Sequence, residues 1–394
     1  MNDSSEKRNF EDEEHNRDPE TPIQEVSPQY QQAQLHNLPP PNKKKRKPKY
    51  WLHALLFVLT LGTTTWYGAE WKYGRTFLSY GLPPELETMD WSVYWEGLEF
   101  SIPFLVILTC HEFGHYFTAR AYKIAATLPY YIPLWLGSIS FSPHFGTLGA
   151  FIKILEPIKS RKEYFDVGIA GPLAGFVVAL GVLAYGFLTL PPPEYIFEIH
   201  PEYQKYGLDY ADHVYKNTQG SLTLGSNLLF EIFAVTLAPD PSWVPNGHEL
   251  FHYPLLYAGY LACFFTALNL FPIGQLDGGH ILYGILGKAF NPVSRVFFLA
   301  LILYAGMGQP AMLPEMSSPE FDSVAFGNLF HLFILYVIFR GMAGSITQTL
   351  IYALGVFSVQ LLANWFFPGV EGYPGWLVFG FILGRFLGVY HPQA

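Results

Sequence analysis

Charge and cysteine are what this 394-residue sequence has least of. Only 14% of it is Asp, Glu, Lys or Arg, and its two cysteines, Cys110 and Cys263, both sit inside apolar runs. Two thiols so placed exclude a disulfide framework. The charge that exists is unevenly spread. Residues 1–49 hold 9 Lys/Arg and 9 Asp/Glu, which leaves 14 and 23 for the rest of the chain. The formal net charge of −9 therefore belongs entirely to that later part, which argues against a nucleic-acid partner. Long tracts free of charge, in a chain that is 50% hydrophobic, exclude a soluble enzyme and mark a polytopic membrane protein. Three further features are missing. No signal peptide opens the chain, the first apolar run beginning only near Trp51. There is no inverted repeat of the transporter kind, and residues 191–253 show no alternating pattern of the kind a β domain needs.

What is present begins with a tail. Residues 1–42 are polar and rich in Pro and Gln, with too few aliphatics to order themselves. Lys43-Lys44-Lys45-Arg46-Lys47-Pro48-Lys49 follows, directly before the first apolar run. In that position it reads as a positive-inside anchor rather than a nuclear-localisation signal, which puts the tail in the cytoplasm. Hydropathy then predicts spans at about 51–69, 97–119, 165–190, 254–271, 296–308, 325–342, 346–367 and 375–390. Residues 128–155 are apolar but broken by Pro129, Pro133, Gly137, Pro143, Gly146 and Gly149. Irregular backbone at that depth must be shielded from lipid, so the stretch reads as a re-entrant loop or β-hairpin lining a cavity. Residues 191–253 read as an external insertion, with an interfacial helix within Ser221–Leu237. This layout places 10 of the 14 later Lys/Arg on the inner side, and those residues set orientation. The expectation is an all-α polytopic membrane protein of about 8 transmembrane helices, with a re-entrant loop or β-hairpin after the second. Both termini are expected to be cytoplasmic, in the cell (inner) membrane of a bacterium.

Within the second span lies Thr109-Cys110-His111-Glu112-Phe113-Gly114-His115-Tyr116, an H-E-x-x-H sequence. Positions i and i+4 share one helix face, so His111 and His115 can grip one metal ion with Glu112 beside it. A catalytic zinc keeps three protein ligands and an open position, so a third donor must come from elsewhere. Asp277 is the best candidate. It too sits near the inner end of a span, after the helix-breaking Pro272 and before Gly278 and Gly279. The alternative for such a carboxylate is a helix-terminal cap. Cys110 points about 100° away from His111 and reads as a packed small residue. His280 reads as a loop or outer-layer residue, His144 as a hydrogen-bonded loop residue and His331 as a packed, satisfied histidine. Arg340 and Arg385 read as snorkelling to the inner interface. Asn269, in the broken segment, either donates to an oxyanion or satisfies freed backbone.

Three segments together carry a resemblance: His111-Glu112-Phe113-Gly114-His115, then Gly171-Pro172-Leu173-Ala174-Gly175, then Asn269-x-x-Pro272-x-x-x-x-Asp277-Gly278. Over residues 97–285 the chain resembles the site-2 protease family of intramembrane zinc metalloproteases. The resemblance implies Zn2+ held by His111, His115 and Asp277, with Glu112 as general base and Asn269 counted among the catalytic residues. It implies a metalloendopeptidase whose substrates are transmembrane segments of other proteins in the lipid bilayer. The implied organisation is a cytoplasmic tail (1–49), a first span and external loop (50–96), a catalytic membrane core (97–290, with the insertion 191–253) and additional C-terminal spans (291–394). The PDZ domain that family members often insert has no place here. Two alternatives belong beside this reading. One is a quality-control zinc protease with a glutamate third ligand, for which Glu156 and Glu163 are the nearby candidates. The other is a non-catalytic transporter or metal-binding membrane protein. Residues Ser138–Gly149 are expected to supply an edge strand that holds a substrate extended.

Overall fold

The structure is a computed structural model that describes residues 49–78, 88–136, 145–216 and 223–390. The tail at 1–42, all of the basic run but Lys49, and the stretch 137–144 with His144 lie outside the described residues. In chain order the main elements are helices α1 (Tyr50–Tyr73) and α2 (Leu98–Ala121), strands β1 (Tyr130–Pro133) and β2 (Thr147–Phe151), and helices α3 (Arg161–Leu188), α4 (Leu228–Leu237), α5 (Pro254–Asn269), α6 (Asp277–Leu286), α7 (Phe290–Ala305), α8 (Phe321–Arg340), α9 (Ile346–Phe366) and α10 (Gly375–Ile382). Short helical turns connect them.

Among the described residues, five helical stretches are long and apolar enough to cross a membrane: Trp91–Ala121, Arg161–Leu188, Asp277–Ala305, Phe321–Arg340 and Ile346–Phe366. Of the eight expected spans, those at 51–69, 254–271 and 375–390 coincide with helices outside these five. Helix α1 is 24 residues long but carries a threonine run, in which Thr64 and Thr65 bond back to the carbonyls of Thr60 and Leu61 at 2.8 and 2.7 Å. Helix α5 has 16 residues, about 24 Å, which is short of a bilayer core of about 30 Å. The span expected at 296–308 is the second half of a longer one. Its first half is α6, joined to α7 by a 3-10 turn at Gly287–Ala289 where Gly287 has φ +58°. The last expected span is a helical stretch ending at Leu387. The helix expected within Ser221–Leu237 is α4, and the side chain of Asn227 caps its first turn by accepting from the Phe230 N–H at 3.0 Å. Among its described residues the 191–253 segment holds helical turns and no strand.

Two groups of helices make up the chain. Helices α2, α3, α5 and α6 pack on one another and carry the motifs. Helices α7 to α10 surround a separate core of Phe298, Ile302, Leu335, Ile338, Phe339 and Leu383. Lipid tails are as apolar as leucine, so close packing and interhelical hydrogen bonds hold such cores, not the exclusion of water. One such bond set joins three helices: His331 Nε2 meets Gln360 Oε1 at 2.8 Å, and Gln360 Nε2 donates to the carbonyls of Ile302 and Leu303 at 3.0 and 3.1 Å. His331 is thus the satisfied core histidine that its surroundings suggested.

The broken stretch after α2 is a two-stranded antiparallel hairpin, β1 with β2, in which Tyr130 faces Phe151, Tyr131 faces Ala150 and Pro133 faces Thr147. It is tied down at the start of β1. His53 on α1 donates from Nδ1 to the Pro129 carbonyl at 2.9 Å, and the buried Tyr131 hydroxyl bonds Thr109 on α2 at 2.7 Å. These bonds anchor β1, whereas Leu148 and Phe151 of β2 are exposed.

Candidate metal centre

The chemistry-bearing residues converge where α2, α3 and the start of α6 meet. His111, Glu112 and His115 are buried on α2, one turn apart as the spacing requires. Their Nε2 atoms lie 3.1 Å apart. The Asp277 carboxylate completes a triangle, with Oδ2 3.2 Å from His111 Nε2 and Oδ1 3.3 Å from His115 Nε2. Tetrahedral bonds of about 2.0–2.1 Å to a zinc ion would separate its donors by about 3.3 Å. The two imidazole nitrogens and the carboxylate therefore stand at the spacing of one cation's ligands. Hydrogen bonding agrees. His115 Nδ1 donates to the Val167 carbonyl at 2.7 Å, which leaves a lone pair on Nε2, the tautomer a metal ligand needs. Two imidazoles and a carboxylate are a donor set that zinc accepts readily.

Local sequence explains the close approach. The glycines of Gly171-Pro172-Leu173-Ala174-Gly175 face the metal-side rings. A Cβ on Gly171 would run into the His115 imidazole, and one on Gly175 would stand 2.9 Å from His111 Cβ. Helix α3 itself is fixed at its start by a reciprocal cap. Ser160 Oγ accepts from the Glu163 N–H, and the Glu163 carboxylate accepts from the Ser160 N–H, each at 3.2 Å. That assigns Glu163 a capping role, and Glu156 is exposed, so neither stands near the imidazoles as a third ligand. Asp277 is the first residue of α6 rather than the last of the preceding span. No side-chain bond caps that helix, so the carboxylate is not spent as a cap. A carboxylate in a helix's first turn is favoured there by the helix dipole.

Beside the triangle lies a cavity of about 400 Å3, lined by His111, Glu112, Asn269, Phe265 and the β2 residues Thr147–Ala150. Asn269, the last residue of α5, thus shares a cavity with Glu112. Strand β2 is paired with β1 along one edge, and among the described residues no strand covers the other. His280 stands one turn beyond Asp277, its ring stacked on Tyr164 at 5.8 Å, and is not one of the three converging donors. His144 lies outside the described residues. Cys110 and Cys263 are free thiols. Sequence reading missed the Val167 carbonyl and the Thr109–Tyr131 bond, because backbone acceptors and long-range hydroxyl pairs leave no spacing signal.

Residues 99–313 match the family model described as peptidase family M50. The chain is 30% identical over 287 residues to "Probable zinc metalloprotease EGY1, chloroplastic" of Arabidopsis thaliana, covering 68% of this chain and 45% of that one. It is 27% identical to the protein of that name in Oryza sativa subsp. japonica, covering 69% of this chain and 43% of that one. To "Probable zinc metalloprotease EGY2, chloroplastic" of Oryza sativa subsp. indica it is 25% identical, over 61% of this chain and 42% of that one. The chain spans less than half the length of these curated relatives. Their names are chloroplastic, so they lend nothing to the bacterial cell membrane expected from the sequence. No solved structure matches the chain.

Proposed function

The chain belongs to peptidase family M50, the site-2 protease family, and on that premise we propose that it is an intramembrane zinc metalloendopeptidase that hydrolyses peptide bonds in or near transmembrane segments of other membrane proteins. The observation that carries the reading is the carboxylate of Asp277 at 3.2 and 3.3 Å from the two facing imidazole nitrogens. His111, His115 and Asp277 would hold the zinc. Once bound, zinc would polarise the scissile carbonyl and acidify a water beside it.

The chain's own groups do the rest. Glu112, buried beside the ligands, takes a proton as general base and returns it to the leaving amine. Asn269 donates from its amide to the oxyanion as charge develops there. Leu134, Phe145 and Phe265 wall the cavity with apolar surface, which keeps bulk water out and strengthens these interactions. A substrate helix hides its carbonyls in its own hydrogen bonds. The uncovered edge of β2 offers replacement partners, so an unwound segment can lie extended along it beside Glu112. The part of the expected strand at 138–144 lies outside the described residues, and the role rests on Thr147–Phe151.

The lysine and arginine count supports a bilayer orientation with the motif end of α2 on the side of the basic loops. It carries the sidedness, with both termini on that inner face, rather than the organelle. The test is direct: full-chain protein in liposomes is given a transmembrane-segment substrate, and cleavage and zinc content are measured for wild type and Glu112→Gln. Glu112→Gln should keep its zinc and lose cleavage. Cleavage at the wild-type rate would reject the assignment of Glu112 and the proposed activity with it.

A further inference from the structure

A second set of donors lies at the opposite end of the α5 helix. His252 lies two positions before the first residue of α5 and Asn269 ends it, so about 24 Å of helix separates this set from the cavity beside the first. His200 opens the 3-10 turn Pro201–Asp209, and Glu249 and His252 flank another at Leu250–His252. His200 Nε2 and His252 Nε2 are 3.2 Å apart, and Glu249 Oε2 is 3.2 Å from His252 Nε2 and 3.9 Å from His200 Nε2. In the first set the corresponding distances are 3.1, 3.2 and 3.3 Å, the last two ending on the two Asp277 oxygens, so the second set is similar but for its longer His200–Glu249 side.

Protonation makes this more than proximity. His252 Nδ1 has the Lys72 carbonyl at 2.8 Å and must donate to it. His200 Nδ1 has the Glu202 carboxylate at 3.0 Å and donates likewise. In their neutral forms both rings therefore aim an Nε2 lone pair at the same point, and Glu249 aims a carboxylate oxygen there too. The other Glu249 oxygen is occupied, accepting from the Tyr215 hydroxyl. Three acceptors converge, and among the described residues no lysine or arginine pairs with Glu249. Glu249 and His252 are each 1% exposed, so water cannot compensate the charge cheaply. One proton can bridge only two of the three atoms. A single cation satisfies all three. Histidines that donate their far N–H to a carbonyl or carboxylate are the usual outer layer of a metal site, and both rings here do so.

We propose that His200, Glu249 and His252 form a second metal site, for a divalent transition ion of the zinc class, which clips the 191–253 segment to the end of α1. Two imidazoles and one carboxylate suit zinc better than calcium or magnesium, which prefer oxygen alone. His200 is the partly exposed member, with a side chain 23% accessible, and gives the ion its entry and an open fourth position for water. Reaching ligand spacing requires it to close on Glu249 by roughly 0.6 Å. Gly74, at the left-handed end of α1 with φ +61°, leaves room for the pair: a Cβ there would stand 3.1 Å from the His252 ring. The ion would tie α1, through the Lys72 carbonyl, to the turn that starts α5 and to the loop that carries His200.

The test counts zinc on full-chain protein purified in detergent and equilibrated in a zinc buffer. Wild type should hold two ions per chain. His200→Gln and His252→Ala should each hold one, and His111→Ala/His115→Ala should also hold one, since it empties only the first site. His200→Gln lies at the rim and keeps the loop folded. Its second zinc should weaken by more than the roughly 10–100-fold that losing an outer hydrogen bond costs. Cobalt in place of zinc should give the visible bands of a tetrahedral ion in the His111→Ala/His115→Ala protein, and these should vanish with His200→Gln added. A wild-type chain with one zinc that His111→Ala/His115→Ala removes would overturn the second site and leave the first standing. A second zinc retained in both His200→Gln and His252→Ala would overturn it too.

Discussion

Replacing Gly171 by alanine tests whether the packing of α3 against α2 is what sets the metal geometry. The added Cβ would meet Nε2, Cδ2 and Cε1 of His115, the ring edge that faces the metal. Helix backbone cannot yield easily, because α2 and α3 already touch: a Cβ on Gly114 would be blocked by the Ala170 backbone. The imidazole must therefore retreat by roughly 1.5 Å to bring Nε2 from 2.0 Å to ordinary contact distance. Metal–ligand distances tolerate only about 0.2 Å. The retreat also strains the Nδ1 bond to the Val167 carbonyl, now 2.7 Å, whose loss leaves the buried His115 N–H donor unpaired at about 1–3 kcal/mol. Together these predict zinc affinity lower by at least ~10–100-fold and kcat/KM lower by at least ~100-fold. Leu173→Ala is the control, since Leu173 belongs to the same motif but is 58% exposed on the outside of the helix. The assay is zinc content by metal analysis, with cleavage of a transmembrane-segment substrate in liposomes. A Gly171→Ala protein with full zinc and cleavage within about twofold of wild type would refute the reasoning.

Other substitutions separate the remaining roles. Glu112→Gln should retain zinc and lose about 10²–10⁴-fold in kcat, measured under saturating substrate. Asn269→Ala should lower kcat by about 10²–10³-fold with little change in KM if its amide serves the oxyanion, and hardly at all if it only satisfies backbone. Proline at Leu148 or Ala150, on β2, should cut cleavage while zinc content stays constant, and unchanged cleavage at both would remove the edge-strand role. Gln360→Leu should leave the His331 nitrogen unpaired and destabilise the α7–α9 packing by about 1–3 kcal/mol, read as a lower unfolding midpoint in detergent, without altering zinc content.

The first triangle was legible because helical periodicity does geometric work. H-E-x-x-H fixes two rings on one face without knowledge of the fold, and a membrane segment leaves few polar candidates for the third position. The glycines of 171–175 were legible as a close approach, though not what they approach. The helix count was less so. Hydropathy sees apolar length, and it could not distinguish the continuous stretch Asp277–Ala305, kinked at Gly287, from an inner loop followed by a short span. Helix α1 was expected as a span on apolar length alone, and how its threonine hydroxyls turn back on their own backbone could not be read from hydropathy. The second triangle left almost no trace. His200 and His252 are 52 positions apart across irregular turns, so no period links them, and only the i,i+3 pair Glu249 and His252 hinted at a shared face.

The account depends most on Asp277 closing a cation site opened by His111 and His115. The decisive measurement is the zinc content of full-chain Asp277→Ala in a His252→Ala background, where the second site does not contribute to the count. His252→Ala alone should hold one tightly bound zinc, and Asp277→Ala added to it should leave none after equilibration in a zinc buffer. One zinc retained at unchanged affinity without the Asp277 carboxylate would contradict the account.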